Sequence, residues 1–425
     1  MEVRTMIKTY KVMLLPKNHQ KTKLFQYADV ARFAYNWALE KQMTQFQNGE
    51  RFLSDAVLRK EFTQFKKTEE GTWLNQISNN VTKQAIKDCC IAFQNFFREY
   101  KKTGVKYSKK KLEHFARIGK ELTVYDMKCH PKFKSKKNSI PKFYQDPCKI
   151  QFTETHVKVE GFAVSKKRNK QKLNWIKLAE AGRIPIGGKY SDPRIKFDGE
   201  HWWLTVGVEV MKVEKKQTTK NEGMGIDLGI KELAIGSDGM REKNINKTKK
   251  VKQLEKKKRR LQRSISRKYE KNKKGESYCK TSNIRKAEEK LLKINHRLTD
   301  IRQNYVHQIT TKIIQREPSF VCIEDLNVKG MMKNKYLSKA VQQQSLGEFR
   351  RQLEYKCVWN GIPLVIADRF FASSKRCSCC GTIKKNLKLS DRIYHCEQCG
   401  LVIDRDYQAS LNLKQYGETA LKSVG

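Results

Sequence analysis

Two Cys-x-x-Cys pairs, Cys377/Cys380 and Cys396/Cys399, stand fifteen residues apart in a chain of 425. This spacing predicts one structural Zn²⁺, because four thiolates close a tetrahedral site with no open position. A glycine follows each pair (Gly381, Gly400) and lets the chain turn back so that its amides face the sulfurs. Cys379 is surplus: Cys377-x-Cys379 is an alternative pair, but the spacing of the second knuckle favours Cys380. A redox pair or a disulfide is the competing use of such cysteines, and two matched pairs argue against both. The other seven cysteines (Cys89, Cys90, Cys129, Cys148, Cys279, Cys322, Cys357) are scattered. The first residues lack the apolar core of a secretory signal, so these thiols are expected to be reduced and the chain cytoplasmic, in contact with the nucleoid.

An acidic pair, Asp404 and Asp406, follows the second knuckle directly. Two further acids lie in apolar, strand-like runs: Asp227 in "GIDLGI" and Glu324 in "VCIEDLNV". A carboxylate inside an apolar strand is costly unless it is paired or bound to a metal. Each acid alone is a weak signal, and "GIDLG" by itself reads more simply as an N-cap or turn aspartate. Their order and contexts together predict a two-metal site, with one ion activating water and the other stabilising the leaving oxygen of a phosphodiester. Mg²⁺ suits such oxygen ligands, and two ions are expected. If a helix starts after Asp404, that residue is its N-cap, and Asp406 shares a face with Ala409 and Leu413.

The formal net charge is +46, from 90 Lys and Arg against 44 Asp and Glu. Such an excess, spread along the chain, predicts an extended, salt-sensitive nucleic-acid surface. No apolar run approaches the ~20 residues needed to span a bilayer, so no membrane partner is expected.

Periodicity supplies the layout. "TYKVMLLP" reads as a strand. A helix beginning near Gln20 carries Leu24, Tyr27, Ala31, Ala34, Tyr35 and Ala38 on one face, widened by Val30 and Trp37. Another carries Val81, Ala85, Cys89, Phe93 and Phe96, whose aromatics read as core rather than base-stacking platforms. From about Lys132 the pattern turns to strands, with Trp202, Leu204, Val206, Val208 and Val210 sharing a face; a small β-domain or barrel is expected, to which the N-terminal strand could add. Lys212–Gly223 reads as a linker. Beyond it come two or three strands, two long basic helices, a strand, a helix through "QQQSLGEFRRQLEYKCVWNG" ending at Gly361, a strand, the cysteine segment and a last helix. That order is an RNase H-type α/β layout with insertions. The basic helices read equally as solvated faces or as an antiparallel hairpin along a phosphate backbone.

"GIDLGIKELAIGSDG", "IEDLNVKGMMKN", "SLGEFRRQLEYK", "SSKRCSCCG" and "CEQCGLVIDRDYQASLNL" resemble the motifs of TnpB proteins, transposon-encoded RNA-guided nucleases, and of the related miniature type V CRISPR effectors. The match covers roughly the C-terminal half; "YNWALE" is a looser echo in the N-terminal half. The resemblance implies a multidomain α+β fold. A wedge strand would occupy 1–18, a helical recognition domain 19–128 and a wedge β-barrel 129–218. A RuvC-like nuclease domain would occupy 219–370 and 401–425, interrupted by a zinc-ribbon, target-binding insertion at 371–400. It further implies Asp227, Glu324 and Asp406 as catalytic Mg²⁺ ligands and Cys377, Cys380, Cys396 and Cys399 as zinc ligands. The expected partners are a structured guide RNA and a DNA target, double-stranded and displaced single-stranded, bound by a monomer. Gln408 departs from the pattern, where asparagine is usual. The expected activity is RNA-guided DNA cleavage in a transposon setting. A type V effector, a binding-only repressor and an RNA-independent DDE-type transposase are the alternatives.

Overall fold

The computed structural model describes residues 5–104, 106–136, 139–161, 172–211, 221–275, 277–388 and 390–422. Most of the expected linker, Lys212 to Lys220, lies outside the described residues. The chain divides into two compact units, Met1–Met211 and Lys212–Gly425, both of mixed α and β content.

In the first unit seven strands form one antiparallel sheet: β1 (Thr5–Leu15), β2 (Lys142–Tyr144), β3 (Gln151–Phe152), β4 (His156–Lys158), β5 (Trp175–Leu178), β6 (Tyr190–Phe197) and β7 (Trp202–Met211). Their order is β2-β6-β7-β1-β5-β4-β3. The N-terminal strand therefore joins the later strands, pairing along β7 from Thr5–Met211 to Leu14–Trp202. Trp202, Leu204, Val206 and Val208 are buried, and Val210 packs partly buried against them. Among the described residues no ladder joins β2 to β3, and both edge strands have three residues or fewer. The run "QFTETHVK" alternates like one strand but folds as the β3–β4 hairpin, closed by the Thr153 amide donating to the His156 carbonyl.

Helices Asn18–Gln47 and Asn79–Thr103 pack on each other and bury the two predicted stripes. The aromatics of the second are core: Phe93 and Phe96 lie edge-on to His130.

The second unit is built on a five-stranded sheet. Its strands are β8 (Met224–Leu228), β9 (Glu232–Gly236) and β10 (Arg241–Lys243), then, after the small β11–β12 hairpin (Lys273–Lys274, Ser277–Tyr278), β13 (Val321–Glu324) and β14 (Leu364–Ala367). The order is β10-β9-β8-β13-β14, antiparallel through β8 and parallel from β8 to β14. Strand alternation gives the sheet two different faces. Met224, Ile226, Leu228, Val321 and Ile323 form one core with Val306, Ile309 and Ile313 of the helix Ser282–Gln315 and with Phe349 and Leu353 of the helix Leu346–Asn360. The opposite face carries Gly225, Asp227, Cys322 and Glu324, and is covered by the last helix, Arg405–Lys422, through Leu413.

The helix Lys249–Lys271 folds back on Ser282–Gln315 through Val251, Ile294 and Leu298, so the two basic segments are a hairpin. The helix expected to run unbroken through "QQQSLGEF" is two helices, Ser338–Gln344 and Leu346–Asn360. Ser345 between them adopts φ +58°, a left-handed backbone that no α-helix can pass through. Gly361 caps the second one at φ +67°, as predicted.

Candidate active site and metal centre

β13 lies parallel to β8 in a register that sets Val321 beside Met224, Cys322 beside Gly225 and Ile323 beside Ile226. One residue further on, Glu324 meets Asp227 on the face that carries the last helix. Both residues remain partly open to solvent.

The third acid comes from that helix. Asp404, the final residue of β16 (Val402–Asp404), accepts hydrogen bonds from the amides of Asp406 (3.1 Å) and Tyr407 (2.9 Å). It is the N-cap expected from the sequence, satisfying two of the amides that a helix start leaves orphaned. Asp406 then falls in the first turn, one turn before the buried Ala409 and two before Leu413. Its carboxylate ion-pairs with Arg392 (3.6 Å) and Arg405 (3.5 Å).

Burial pushes the Asp227 carboxyl well above the usual carboxylate range, and the charges of Glu324 and Asp406 push it further. Arg405 opposes this only weakly. A buried carboxyl raised by two neighbouring acids is one that a cation would relieve, and oxygen donors of this kind fit a hard divalent ion. Beside them, Asp325 is held below its usual range by Arg350 and Arg369, so it is already paired.

The four predicted thiols also meet. Cys377, Cys380, Cys396 and Cys399 are the one group of three or more ligand-type side chains, among the described residues, whose donor atoms all lie within 4.8 Å of one another. Cys377 and Cys399 Sγ are 3.6 Å apart, and Cys380 and Cys396 Sγ 3.5 Å. Exposed Cys379 stands outside the group. The knuckle glycines take left-handed backbones (Gly381 φ +77°, Gly400 φ +72°), and their amides donate to the carbonyls of Cys377 and Cys396 at 3.0 Å. Contact with the hydroxyl and amide of Thr382 lowers the Cys380 thiol to about 6. The Leu401 amide pulls Cys399 down, but burial and the other sulfurs outweigh it and push that thiol to about 12. One thiolate forms easily and the next is resisted by its neighbours, which is the electrostatic condition a bound cation relieves. β15 (Ile393–His395) pairs with β16, so the strand that closes this cluster runs straight into the Asp404 cap. That continuity explains why the cysteines precede the acidic pair.

Three features of the site were not legible from periodicity. Gly225 lets the backbone of the last helix lie directly on β8. Arg392 and Arg405 face Asp406. Ser373, in the "SSKRC" run before the first knuckle, donates its hydroxyl to Glu324 Oε1 at 2.7 Å.

Three family models match. One described as "Helix-turn-helix domain" matches residues 6–51, where the structure has β1 and a single long helix. "Probable transposase" matches 205–335, and "Cas12f1-like, TNB domain" matches 347–413. A protein of Streptomyces pristinaespiralis named "Putative RNA-guided DNA endonuclease" is 29% identical over 413 residues, 97% of this chain and 90% of its own. "Putative RNA-guided DNA endonuclease InsQ" of Escherichia coli K12 is 23% identical over 98% of this chain and 93% of its own. "TnpB-like protein L79" of Acanthamoeba polyphaga mimivirus is 29% identical over a shorter stretch, 30% of this chain and 25% of its own. With matching models spread along its length and relatives aligned over almost all of it, the chain is similar to proteins named as RNA-guided DNA endonucleases and, over a shorter stretch, to TnpB-like proteins.

Proposed function

We propose that this protein is a transposon-type RNA-guided DNA endonuclease that hydrolyses phosphodiesters at Asp227, Glu324 and Asp406. The observation that carries the reading is the Asp227 carboxyl, buried and pushed up by the nearby charges of Glu324, at the end of the adjacent strand, and of Asp406, in the first turn of the last helix. The names of the near full-length relatives support the RNA-guided and DNA-cleaving parts. Strand order β10-β9-β8-β13-β14 with helices on both faces supports an RNase H-like, RuvC-type domain, into which the cysteine segment 371–400 is inserted. The first unit then supplies the wedge sheet and the helical recognition segment.

In this reading Asp227 and Glu324 hold oxygens at the ends of adjacent strands and Asp406 brings a third from above. Mg²⁺ is the cation that such a donor set takes. When bound, a pair of these ions supplies the positive charge that in-line displacement at a phosphodiester requires. The protein's part is to fix the donors: the β8–β13 register aligns two of them, and the Asp404 cap sets the first turn that carries the third. The four thiolates hold one structural Zn²⁺, which keeps the target-binding knuckle folded. The basic hairpin 249–315 and the +46 charge hold the guide RNA and its DNA partner. Retention of all three acids favours a cutting enzyme over a binding-only repressor.

The test is cleavage of a matched duplex in Mg²⁺ by the protein carrying its co-purified RNA. Asp227→Ala and Glu324→Ala should abolish cutting and leave RNA and target binding intact. Substantial cutting by either variant would sink the carboxylate site, and normal cutting by an RNA-free preparation would sink RNA guidance.

A further inference from the structure

Glu324 ends a strand, where a carboxylate on two rotatable methylenes has room to swing. In this structure it does not hang free. Ser373 donates its hydroxyl to Glu324 Oε1 at 2.7 Å, a bond to a charged acceptor and so among the stronger neutral-donor contacts. Ser373 is itself buried. It lies in the strap between β14 and the first cysteine knuckle, a segment with no regular secondary structure to hold it in place.

The strap is held by the last helix instead. The fully buried Asn412 side chain donates from Nδ2 to two carbonyls at once, those of Ser373 and Arg376, each at 2.7 Å. One amide thus clamps both ends of a four-residue turn whose last member adjoins Cys377. One turn further along the helix, Tyr416 packs its ring on Phe371 of the same strap, centroids 4.8 Å apart. Gln415 donates to the Ser378 carbonyl at 3.0 Å. The Arg376 amide also donates to the carbonyl of Ala372, just before the turn, at 3.1 Å. Asp406, Asn412, Gln415 and Tyr416 therefore sit on one rigid helix that both delivers the third acid and fixes the strap.

From this we infer that Ser373 is a positioning residue for the metal-binding carboxylate Glu324, locked in place by the Asn412 clamp. Holding Oε1 fixes the rotation of the carboxylate and spares the ion the entropy of ordering a loose glutamate. The clamp also ties Glu324 to the cysteine segment, since the turn that presents Ser373 ends at the first thiol ligand. The inference rests on the carboxylate reading proposed above and adds a residue to it.

The test uses the guide-RNA complex of the parent, Ser373→Ala, Ser373→Thr and Glu324→Ala. Two quantities are read: the Mg²⁺ concentration at half-maximal cleavage, and Mn²⁺ binding followed by the EPR signal of the free ion. Subtracting the Glu324→Ala complex removes the ions held by RNA. Losing an outer partner of a metal ligand typically weakens metal affinity by about 10- to 100-fold. Ser373→Ala should raise both midpoints by that factor while target binding stays within about twofold, and Ser373→Thr, which keeps the hydroxyl, should restore them. Parent-like midpoints in Ser373→Ala overturn the assignment. So does a variant that loses thermal stability and target binding at an unchanged Mn²⁺ midpoint, because that is a packing role. If Glu324→Ala itself still cuts, the carboxylate reading fails and this inference falls with it.

Discussion

Gly225 and Ser410 meet backbone to backbone: a Cβ on Gly225 would be driven into the Ser410 carbonyl oxygen and the Lys414 amide, with Leu413 behind them. Gly225 has ordinary strand geometry, so its value here is the absence of a side chain. It lets the last helix lie directly on β8, two residues before Asp227 on the same face. The close approach sets the height at which Asp406 reaches the strand ends.

Gly225→Ala should therefore be harmful in a way most glycine-to-alanine changes are not. Overpacking of this kind costs about 1–3 kcal/mol. The helix must also lift, so cleavage should fall further than stability. The matched control is Gly347→Ala, at a helical site with open space around a new Cβ. It should be neutral or stabilising by up to about 1 kcal/mol. Thermal melts and cleavage rates of the two variants decide the matter; equal effects would mean that the contact is not tight.

Asp404 and Asp406 should separate cleanly on substitution by asparagine. Asparagine caps a helix nearly as well as aspartate, so Asp404→Asn should keep most cleavage. Asp406→Asn removes a charged oxygen donor and should lose nearly all of it while still binding target. An active Asp406→Asn beside a dead Asp404→Asn would reverse the assignment.

Metal analysis should find about one zinc per chain, the content of a single four-thiolate site. Cys379→Ser should retain it, because that thiol lies outside the cluster. Cys396→Ser should lose it and unfold the knuckle, whose small core is Cys377, Tyr394 and Cys396. Zinc lost from Cys379→Ser and kept in Cys380→Ser would overturn the ligand set.

Lys356 should leave a mark on stability at alkaline pH. Its ammonium is buried on the hydroxyls of Thr310 (2.6 Å) and Thr311 (2.8 Å) and the His307 carbonyl (2.9 Å), and burial lowers it from 10.5 to about 8. Between those values the unfolded chain holds a proton that the folded chain has shed. Stability should therefore rise as pH climbs from about 8 toward 10.5, with the full penalty present below 8. The slope from this one group is up to about 1.4 kcal/mol per pH unit. Urea titrations across that range should show the rise in the parent and a flatter profile in Lys356→Met. Parallel profiles would show that the lysine titrates normally in the folded state.

Gln408, where the family pattern has asparagine, is fully buried, and among the described residues neither its Oε1 nor its Nε2 has a hydrogen-bond partner. A buried amide left in that state costs about 1–3 kcal/mol. Gln408→Met, close in shape and apolar, should raise the melting temperature of the RNA-free protein. A clear drop would mean that the amide is engaged.

The cysteine cluster, the helical stripes and the order of the acids were open to reading from the chain alone. Each rests on local pattern. The four cysteines lie within one short segment, so spacing alone brings them near one another. Leu346, Phe349, Leu353 and Cys357 are buried because a helix turns every 3.6 residues wherever it sits. Asp404 caps because a short acceptor before a helix finds the amides that follow it. Long-range register leaves no such trace. That Glu324 stands beside Asp227 depends on how β13 slides along β8, across about a hundred intervening residues. The break at Ser345, the pairing of the N-terminal strand with β7, the meeting of Gly225 with Ser410 and the bond from Ser373 to Glu324 arise the same way. They come from surfaces that must fit once the elements pack, and a linear pattern carries no record of which surface each one will meet.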